Sequence, residues 1–123
     1  MTYRDTTIKL AALRDEIGRL RNEMRKTQDK IEPELVENYT FATADGPAKL
    51  GNLFGDKDTL FVIHNMGASC RFCTMWADGF NGVLPHLESR AAFVVSSPDA
   101  PDKPRNFKAS RGWTFRMVSH QGS

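Results

Sequence analysis

Two short, uninterrupted apolar segments constrain the fold of this chain more than any other feature. Residues 59–65, TLFVIHN, and residues 91–97, AAFVVSS, are each too short for a helix and are bounded by turn-forming residues. Segments of this kind are typical of strands that are covered on both faces of a sheet. We therefore expect two buried strands, and we expect the first of them to be central in its sheet.

Helical segments alternate with these strands. Residues 70–90 carry apolar side chains at helical intervals, and Pro85 predicts a kink in that helix. A second helix is expected from about residue 102 to Gly112, and an entry hairpin turns at Ala44-Asp45-Gly46-Pro47. The three strands of the α/β core are expected at residues 59–64, 92–96 and 114–118. Strands and helices that alternate at this length imply right-handed crossovers and a mostly parallel central sheet with flanking helices.

The N-terminal segment has a different pattern. Its apolar residues are spaced alternately three and four apart, as in a heptad helix, and Thr27 interrupts them once: Leu10, Leu13, Ile17, Leu20, Met24 and Ile31. A seam this narrow either packs on its own domain or pairs with a second copy, and both interpretations remain open. We therefore expect residues 1–32 to form an amphipathic helix, with a homodimer through residues 10–31 as one alternative, and residues 33–123 to form the main domain.

Composition excludes several classes of function. The chain has 123 residues, of which 40% are hydrophobic and 26% charged, so it should form one folded domain. Its formal charge of +2 comes from interleaved acidic and basic residues, so neither a nucleic acid nor a membrane is expected as a partner. The first 20 residues contain no continuous apolar stretch, and we expect a cytoplasmic protein. Because thiols are kept reduced in that compartment, close cysteines there are catalytic or metal-binding more often than structural.

Both cysteines stand in the segment GASCRFCTMWADGF, residues 67–80, as Cys70-x-x-Cys73. Cys70 comes where the first buried strand has ended and a helix begins, so the unpaired amides of the first helical turn should favour its thiolate. Arg71 adds a positive charge beside it. Cys73 lies one turn along on the same face, where it is placed to attack a mixed disulfide. The spacing predicts thiol–disulfide exchange with Cys70 as nucleophile, Cys73 as resolving thiol and their disulfide as the redox group, without a bound cofactor.

A zinc site and chance proximity are the rival interpretations of the pair. A lone C-x-x-C supplies two of the four ligands that a structural zinc ion needs, and the spacing of His64 and His86 matches no finger pattern. The order strand, loop, C-x-x-C, helix is the context that favours a redox motif. We therefore expect no metal.

Three further residues are candidates for supporting the cysteines, together with Arg71. His64 either acts as a base or proton shuttle near Cys70 or, more commonly for such a residue, is only hydrogen-bonded at a strand end. Trp76 is expected to pack in the core, with shielding of the disulfide from water as a secondary role. Asp78 either locks the helix through a hydrogen bond or takes part in proton transfer, and the local role is the commoner one.

The sequence also resembles a known superfamily. The stretch YTFATADGPAKLGNLFGDKDTLFVIHNMGASCRFC resembles the front half of thioredoxin-like proteins of the peroxiredoxin and disulfide-reductase branch. The stretch CTMWADGFNGVLPHLESRAAFVVSSPDAP, followed by RGWTFRMVS, resembles a bacterial family of unknown function described as predicted dithiol-disulfide oxidoreductases. The resemblance implies a thioredoxin-like fold with Cys70 and Cys73 as the redox pair. Its implied substrate is a disulfide-containing protein or a small thiol.

Two departures from the thioredoxin pattern affect what the resemblance implies. Arg71 and Phe72 stand between the cysteines where thioredoxins carry Gly-Pro, so the reduction potential cannot be transferred. The thioredoxin fold continues into a cis-proline loop, a hairpin and a final helix, and we expect these C-terminal elements to be missing from residues 1–123.

Two alternative functions remain open. Peroxiredoxins place Thr or Ser three residues before the reactive cysteine, and this chain has Gly67 there, so a peroxiredoxin-like peroxidase ranks below disulfide exchange. A redox-inactive, dimeric thioredoxin-like binding scaffold is the non-enzymatic alternative. Ordinary thiol reactivity of both cysteines would favour the scaffold.

Overall fold

The computed structural model describes residues 1–121, which form two compact units, Met1–Val36 and a second that begins at Glu37. The first unit contains one long helix, α1 (Tyr3–Gln28). A capping box closes its N-terminus: the Thr2 hydroxyl oxygen accepts the N–H of Asp5, and the Asp5 carboxylate accepts the N–H of Thr2. Basic residues in the last turn complement the negative end of the helix dipole.

The heptad seam lies along this helix but is shorter than the sequence suggested. Helix α1 ends at Gln28, so Ile31 lies outside it. No residue of α1 is buried, and four seam side chains are between 43% and 51% exposed: Leu10, Leu13, Ile17 and Leu20. The division of the chain near residue 33 and the dimer both stay predictions.

The second unit alternates strands and helices. Its elements are, in chain order, β1 (Thr40–Thr43), β2 (Gly46–Lys49), α2 (Leu50–Leu53), β3 (Leu60–His64), α3 (Arg71–Gly82), α4 (Leu84–Glu88), β4 (Ala92–Ser97), α5 (Asp102–Arg111) and β5 (Arg116–Ser119). Within residues 1–121, no helix is long and apolar enough to cross a membrane.

A five-stranded mixed sheet organises this unit, in the order β2-β1-β5-β4-β3. Strands β3, β4 and β5 are parallel, whereas β1 runs antiparallel to β2 and to β5. In this register His64 pairs with Ser96, and Ser96 pairs with Val118. The carboxyl ends of the three parallel strands therefore meet at one edge, and the predicted α/β class with a largely parallel core is confirmed.

The expectation that residues 59–65 form a central strand is wrong. Among the residues described, β3 lies at the end of the sheet, and Phe61 and Val62 are 43% and 50% exposed. The strand covered on both faces is β4, whose last five residues are all buried. An apolar run indicates a strand, but the crossovers that follow it decide its position in the sheet.

Two apolar clusters fill the two faces of β4. Phe93 and Val95 point into a cluster with Phe115 and Trp113, and Val94 points the other way into a cluster with Ala48, Leu53 and Val118. Successive side chains of a strand point to opposite faces, so one strand contributes to both clusters. This anchors the sheet on which the cysteine-bearing helix rests.

The predicted helix kink and the predicted end of the second helix both occur. The helix expected over residues 70–90 is broken into α3 and α4 at Val83, and Pro85 stands in the first turn of α4, where its missing N–H is tolerated. Helix α5 ends at Gly112, whose φ of 68° is left-handed and suits glycine. The third strand begins at Arg116, two residues later than expected.

Candidate redox site

The two cysteines lie at the start of α3. Cys70 is the N-cap residue with extended backbone angles, and its sulfur accepts the N–H of Cys73 at 3.2 Å. The carbonyl of Cys70 accepts the N–H and the hydroxyl of Thr74, at 3.1 and 3.0 Å, which fixes the first turn of the helix. The helix begins at this position because a side chain that can accept a hydrogen bond at the N-cap satisfies one of the backbone N–H groups that have no partner within the helix.

The sulfurs of Cys70 and Cys73 form a disulfide, and their α-carbons are 5.3 Å apart. That separation lies within the range found in disulfide bridges. Both cysteines are half-buried, so their exposure does not distinguish the attacking from the resolving thiol.

Exposed apolar side chains surround the pair. Met66 lies in the segment before Cys70, and Phe72, Met75 and Trp76 lie on the first turns of α3; their side chains are between 57% and 75% exposed. Arg71, the first residue of α3, is also exposed and makes no ion pair within residues 1–121. Among residues 1–121, the chain neighbours of the cysteines therefore expose apolar side chains together with the unpaired charge of Arg71.

Trp76 does not pack in the core, contrary to the sequence expectation. It is 62% exposed and stacks on Phe80, with ring centroids 6.0 Å apart. The buried face of α3 is occupied by Ala77 instead. Because adjacent helical residues point about 100° apart, Trp76 points outward.

His64 lies where the sequence placed it, at the carboxyl end of β3, but it has a partner that sequence reasoning missed. Its ring stacks on His120 with centroids 4.6 Å apart and planes 22° apart. The Nδ1 atom of His120 and the hydroxyl of Ser96 are 2.7 Å apart. The parallel order of β3, β4 and β5 brings these residues together, and no local sequence signal reports that order.

Asp78 connects α3 to the end of α5. Its carboxylate accepts hydrogen bonds from the Arg111 guanidinium and from the indole N–H of Trp113, the latter at 2.7 Å. The hydrogen bond from Arg111 is the larger cause, and that from Trp113 the smaller, of a pKa of Asp78 below its ordinary value. The bond between Asp78 and Arg111 also raises the pKa of Arg111. Of the two roles considered for Asp78, these contacts correspond to the structural lock.

His86 lies in α4 and is exposed. In the part of the chain that the structure describes, no three histidine, cysteine or acidic side chains are grouped as metal ligands would be.

Similarity to solved structures defines the fold. One match is the solution structure of a candidate protein disulfide isomerase from Bacteroides thetaiotaomicron, with a TM-score of 0.55 and 21% identity over 72% of this chain. Another is the bacterioferritin comigratory protein of Xanthomonas campestris, studied for its alkyl peroxide reduction activity, with a TM-score of 0.54 and 19% identity over 72% of this chain. The matches cover 57% and 59% of those two chains. Both neighbours have the thioredoxin-like fold expected from the sequence.

The sequence itself matches a family over nearly its whole length. No curated protein matches it. The model of a family described as "bacterial protein of unknown function (DUF899)" matches residues 3–123. The chain therefore belongs to the bacterial DUF899 family and has a thioredoxin-like fold.

Proposed function

We propose that this protein is a thiol–disulfide oxidoreductase that acts through Cys70 and Cys73. The observation that carries the proposal is the disulfide between the N-cap residue of α3 and the residue one turn along it. A thiolate at Cys70 would receive the N–H of Cys73 and the positive end of the helix dipole. Cys73 is the third residue of α3 and lies further from the helix terminus than Cys70.

In the reducing direction, the Cys70 thiolate attacks one sulfur of a substrate disulfide. A bond forms between Cys70 and that sulfur, the substrate disulfide breaks, and the second substrate sulfur leaves as a thiolate that takes up a proton. Cys73 then loses its proton and attacks Cys70, which forms the Cys70–Cys73 bridge and releases the first substrate sulfur. The substrate gains two electrons and two protons, and the protein loses them.

A cellular dithiol or glutathione-like thiol must then return the bridge to two thiols by the same exchange in reverse. No other redox group is needed, since every electron passes through sulfur. A reducing compartment such as the cytoplasm would supply this thiol. We propose that compartment as the place of action.

The exposed apolar side chains near the cysteines favour a protein substrate. Phe72, Met75 and Trp76 present apolar surface beside the disulfide, and surface of this kind typically contacts a partner. Arg71 adds a single positive charge. We therefore propose a disulfide in a flexible polypeptide segment with apolar neighbours as the preferred substrate, ahead of a small thiol.

Trapping of a mixed disulfide tests the proposed function. Cys73→Ser keeps the nucleophile and removes the group that would release it, so it should accumulate a mixed disulfide with an added protein disulfide, visible by intact-mass spectrometry. Cys70→Ser is the matched control and should accumulate none. Trapping through Cys73 would reverse the roles, and absence of trapping with ordinary alkylation rates for both thiols would favour the scaffold alternative.

A further inference from the structure

The segment between β3 and α3, residues 65–69, determines where Cys70 stands; we call it the approach loop. The buried Asn65 donates its N–H to the carbonyl of Ser96 at 2.8 Å, which extends the β3–β4 ladder by one rung. Its side-chain oxygen accepts the N–H of Gly67 at 2.7 Å, and the carbonyl of Gly67 accepts the N–H of Cys70 at 3.0 Å. A continuous series of hydrogen bonds therefore connects β4 to the attacking cysteine.

Asp99 holds this loop from outside. Its carboxylate accepts the N–H of Ala68 at 2.9 Å, across 31 residues of sequence. Within residues 1–121, it is the only side chain from outside the approach loop that forms a hydrogen bond with it. Gly67 has a φ of 106°, and a Cβ atom there would stand 3.1 and 3.2 Å from the two Asp99 oxygens. A glycine is needed at this position for the backbone angle and for the close approach of the carboxylate.

Asp99 is itself fixed by the ends of two strands. Its N–H donates to the hydroxyl of Ser97 at 3.2 Å, and its carbonyl accepts the hydroxyl of Ser119 at 2.5 Å. Lys103 lies 3.9 Å from its carboxylate, and the Asp99 side chain is 21% exposed. The carboxylate that meets the loop is thus held by β4, β5 and α5 together, which makes it a rigid contact.

We propose that Asp99 is a positioning residue for Cys70, acting through Ala68 and Gly67 on the geometry and on the charge at the start of α3. The inference rests on the proposed function, since it concerns the same two thiols. By fixing the approach loop, Asp99 holds Cys70 at bridging distance from Cys73, which raises the effective concentration of one thiol for the other. Its negative charge also opposes a thiolate at Cys70. Asp99 therefore favours the disulfide over the dithiol in both ways.

Two variants separate these effects. Asp99→Ala removes the hydrogen bond and the charge, whereas Asp99→Asn keeps an oxygen that can accept from Ala68 and removes only the charge. Asp102→Asn is the matched control, because it removes an exposed carboxylate three residues further along that forms no hydrogen bond with the approach loop.

The first readout is the equilibrium of the Cys70–Cys73 disulfide with glutathione at acidic pH, where both thiols are protonated. Loss of positioning should shift this equilibrium roughly tenfold toward the dithiol in Asp99→Ala, given the sensitivity of intramolecular reactions to geometry. Asp99→Asn and Asp102→Asn should remain at the wild-type value. Rescue by the asparagine variant identifies geometry as the cause.

The second readout is the alkylation rate of Cys70 as a function of pH. The pH at which Cys70 becomes reactive should fall in both Asp99 variants and stay unchanged in Asp102→Asn, because Asp99 hydrogen-bonds to the loop and Asp102 does not. A residue that merely stabilised the fold would change the melting temperature and leave this profile in place. Asp99 variants that match Asp102→Asn in both readouts would overturn the inference.

Neither readout needs a physiological substrate, so the inference about Asp99 and the proposed function can each be refuted without the other. A Cys73→Ser variant that traps no protein disulfide, with Asp99 variants that still shift the glutathione equilibrium, would remove the proposed function and keep the positioning. Trapping in Cys73→Ser without any shift in the Asp99 variants would remove only the positioning.

Discussion

The backbone N–H of Cys73 donates to the sulfur of Cys70 across 3.2 Å, so a cysteine occupies the N-cap of α3. Serine is among the preferred residues at that position, and alanine cannot accept the hydrogen bond. Under reducing conditions, Cys70→Ala should therefore be less stable than Cys70→Ser by about 0.5–2 kcal/mol, a typical cost for removing a cap. Chemical denaturation of both reduced variants measures the difference. Equal stabilities would mean that the sulfur contributes nothing as a cap.

The Asp78–Arg111 pair predicts a defined dependence of stability on pH. The pKa of Asp78 in the folded state lies below its ordinary 3.8, because of the hydrogen bonds from Arg111 and Trp113. A carboxylate with a lowered folded pKa adds stability that is present above the unfolded pKa, near ~4, and is lost as the pH falls through the folded pKa. Asp78→Asn should accordingly lower the melting temperature at neutral pH and converge with the wild type once the pH is below the folded pKa of Asp78. The exposed Asp56 offers a control through Asp56→Asn, and a difference that stays constant with pH would contradict the assignment.

Truncating a side chain in the core on the Trp113 side of the sheet should lower the free energy of unfolding by a large amount. Phe115 is fully buried between Phe93 and Trp113. Phe115→Ala should cost about 3–5 kcal/mol of unfolding free energy through lost burial and a cavity. Val83→Ala, at a side chain that is 47% exposed, should cost far less. Urea denaturation of both variants measures the contrast.

The heptad seam of α1 predicts association between two copies of the chain. Ile17 at the centre of the seam, with Leu13 and Leu20 on either side, suits two-stranded pairing. Replacing Leu13 and Ile17 together by Lys should convert a dimer to a monomer in sedimentation equilibrium, while Ala11→Lys on the opposite face should not. A wild-type protein that sediments as a monomer at all concentrations ends the dimer hypothesis.

Local sequence signals were sufficient for several elements, among them the helix that carries the cysteines. The run AAFVVSS identified β4, Gly112 marked the end of α5, and the order strand, loop, C-x-x-C placed Cys70 at a helix N-terminus. Each of these depends on residues close together in the chain, which is where propensity and periodicity are informative.

Features that depend on the order of strands could not be predicted in this way. The edge position of β3, the stacking of His64 on His120 and the bond from Ala68 to Asp99 all follow from which strands lie side by side. Trp76 was misplaced for a related reason: the apolar spacing identified a helix, but the position of Ala77 against the sheet decides which neighbour is buried.

The two tryptophans give the protein two independent optical reporters. Trp113 is buried and donates its indole N–H to Asp78, so its fluorescence should follow global unfolding and loss of that contact. Trp76 is exposed and stands one turn beyond Cys73 on α3, where residues three apart are neighbours. Because a disulfide quenches a nearby indole, reduction of the bridge should brighten the emission of Trp76 and leave that of Trp113 unchanged. The intrinsic fluorescence of the protein should therefore respond to both its oxidation state and its folding state without any added dye.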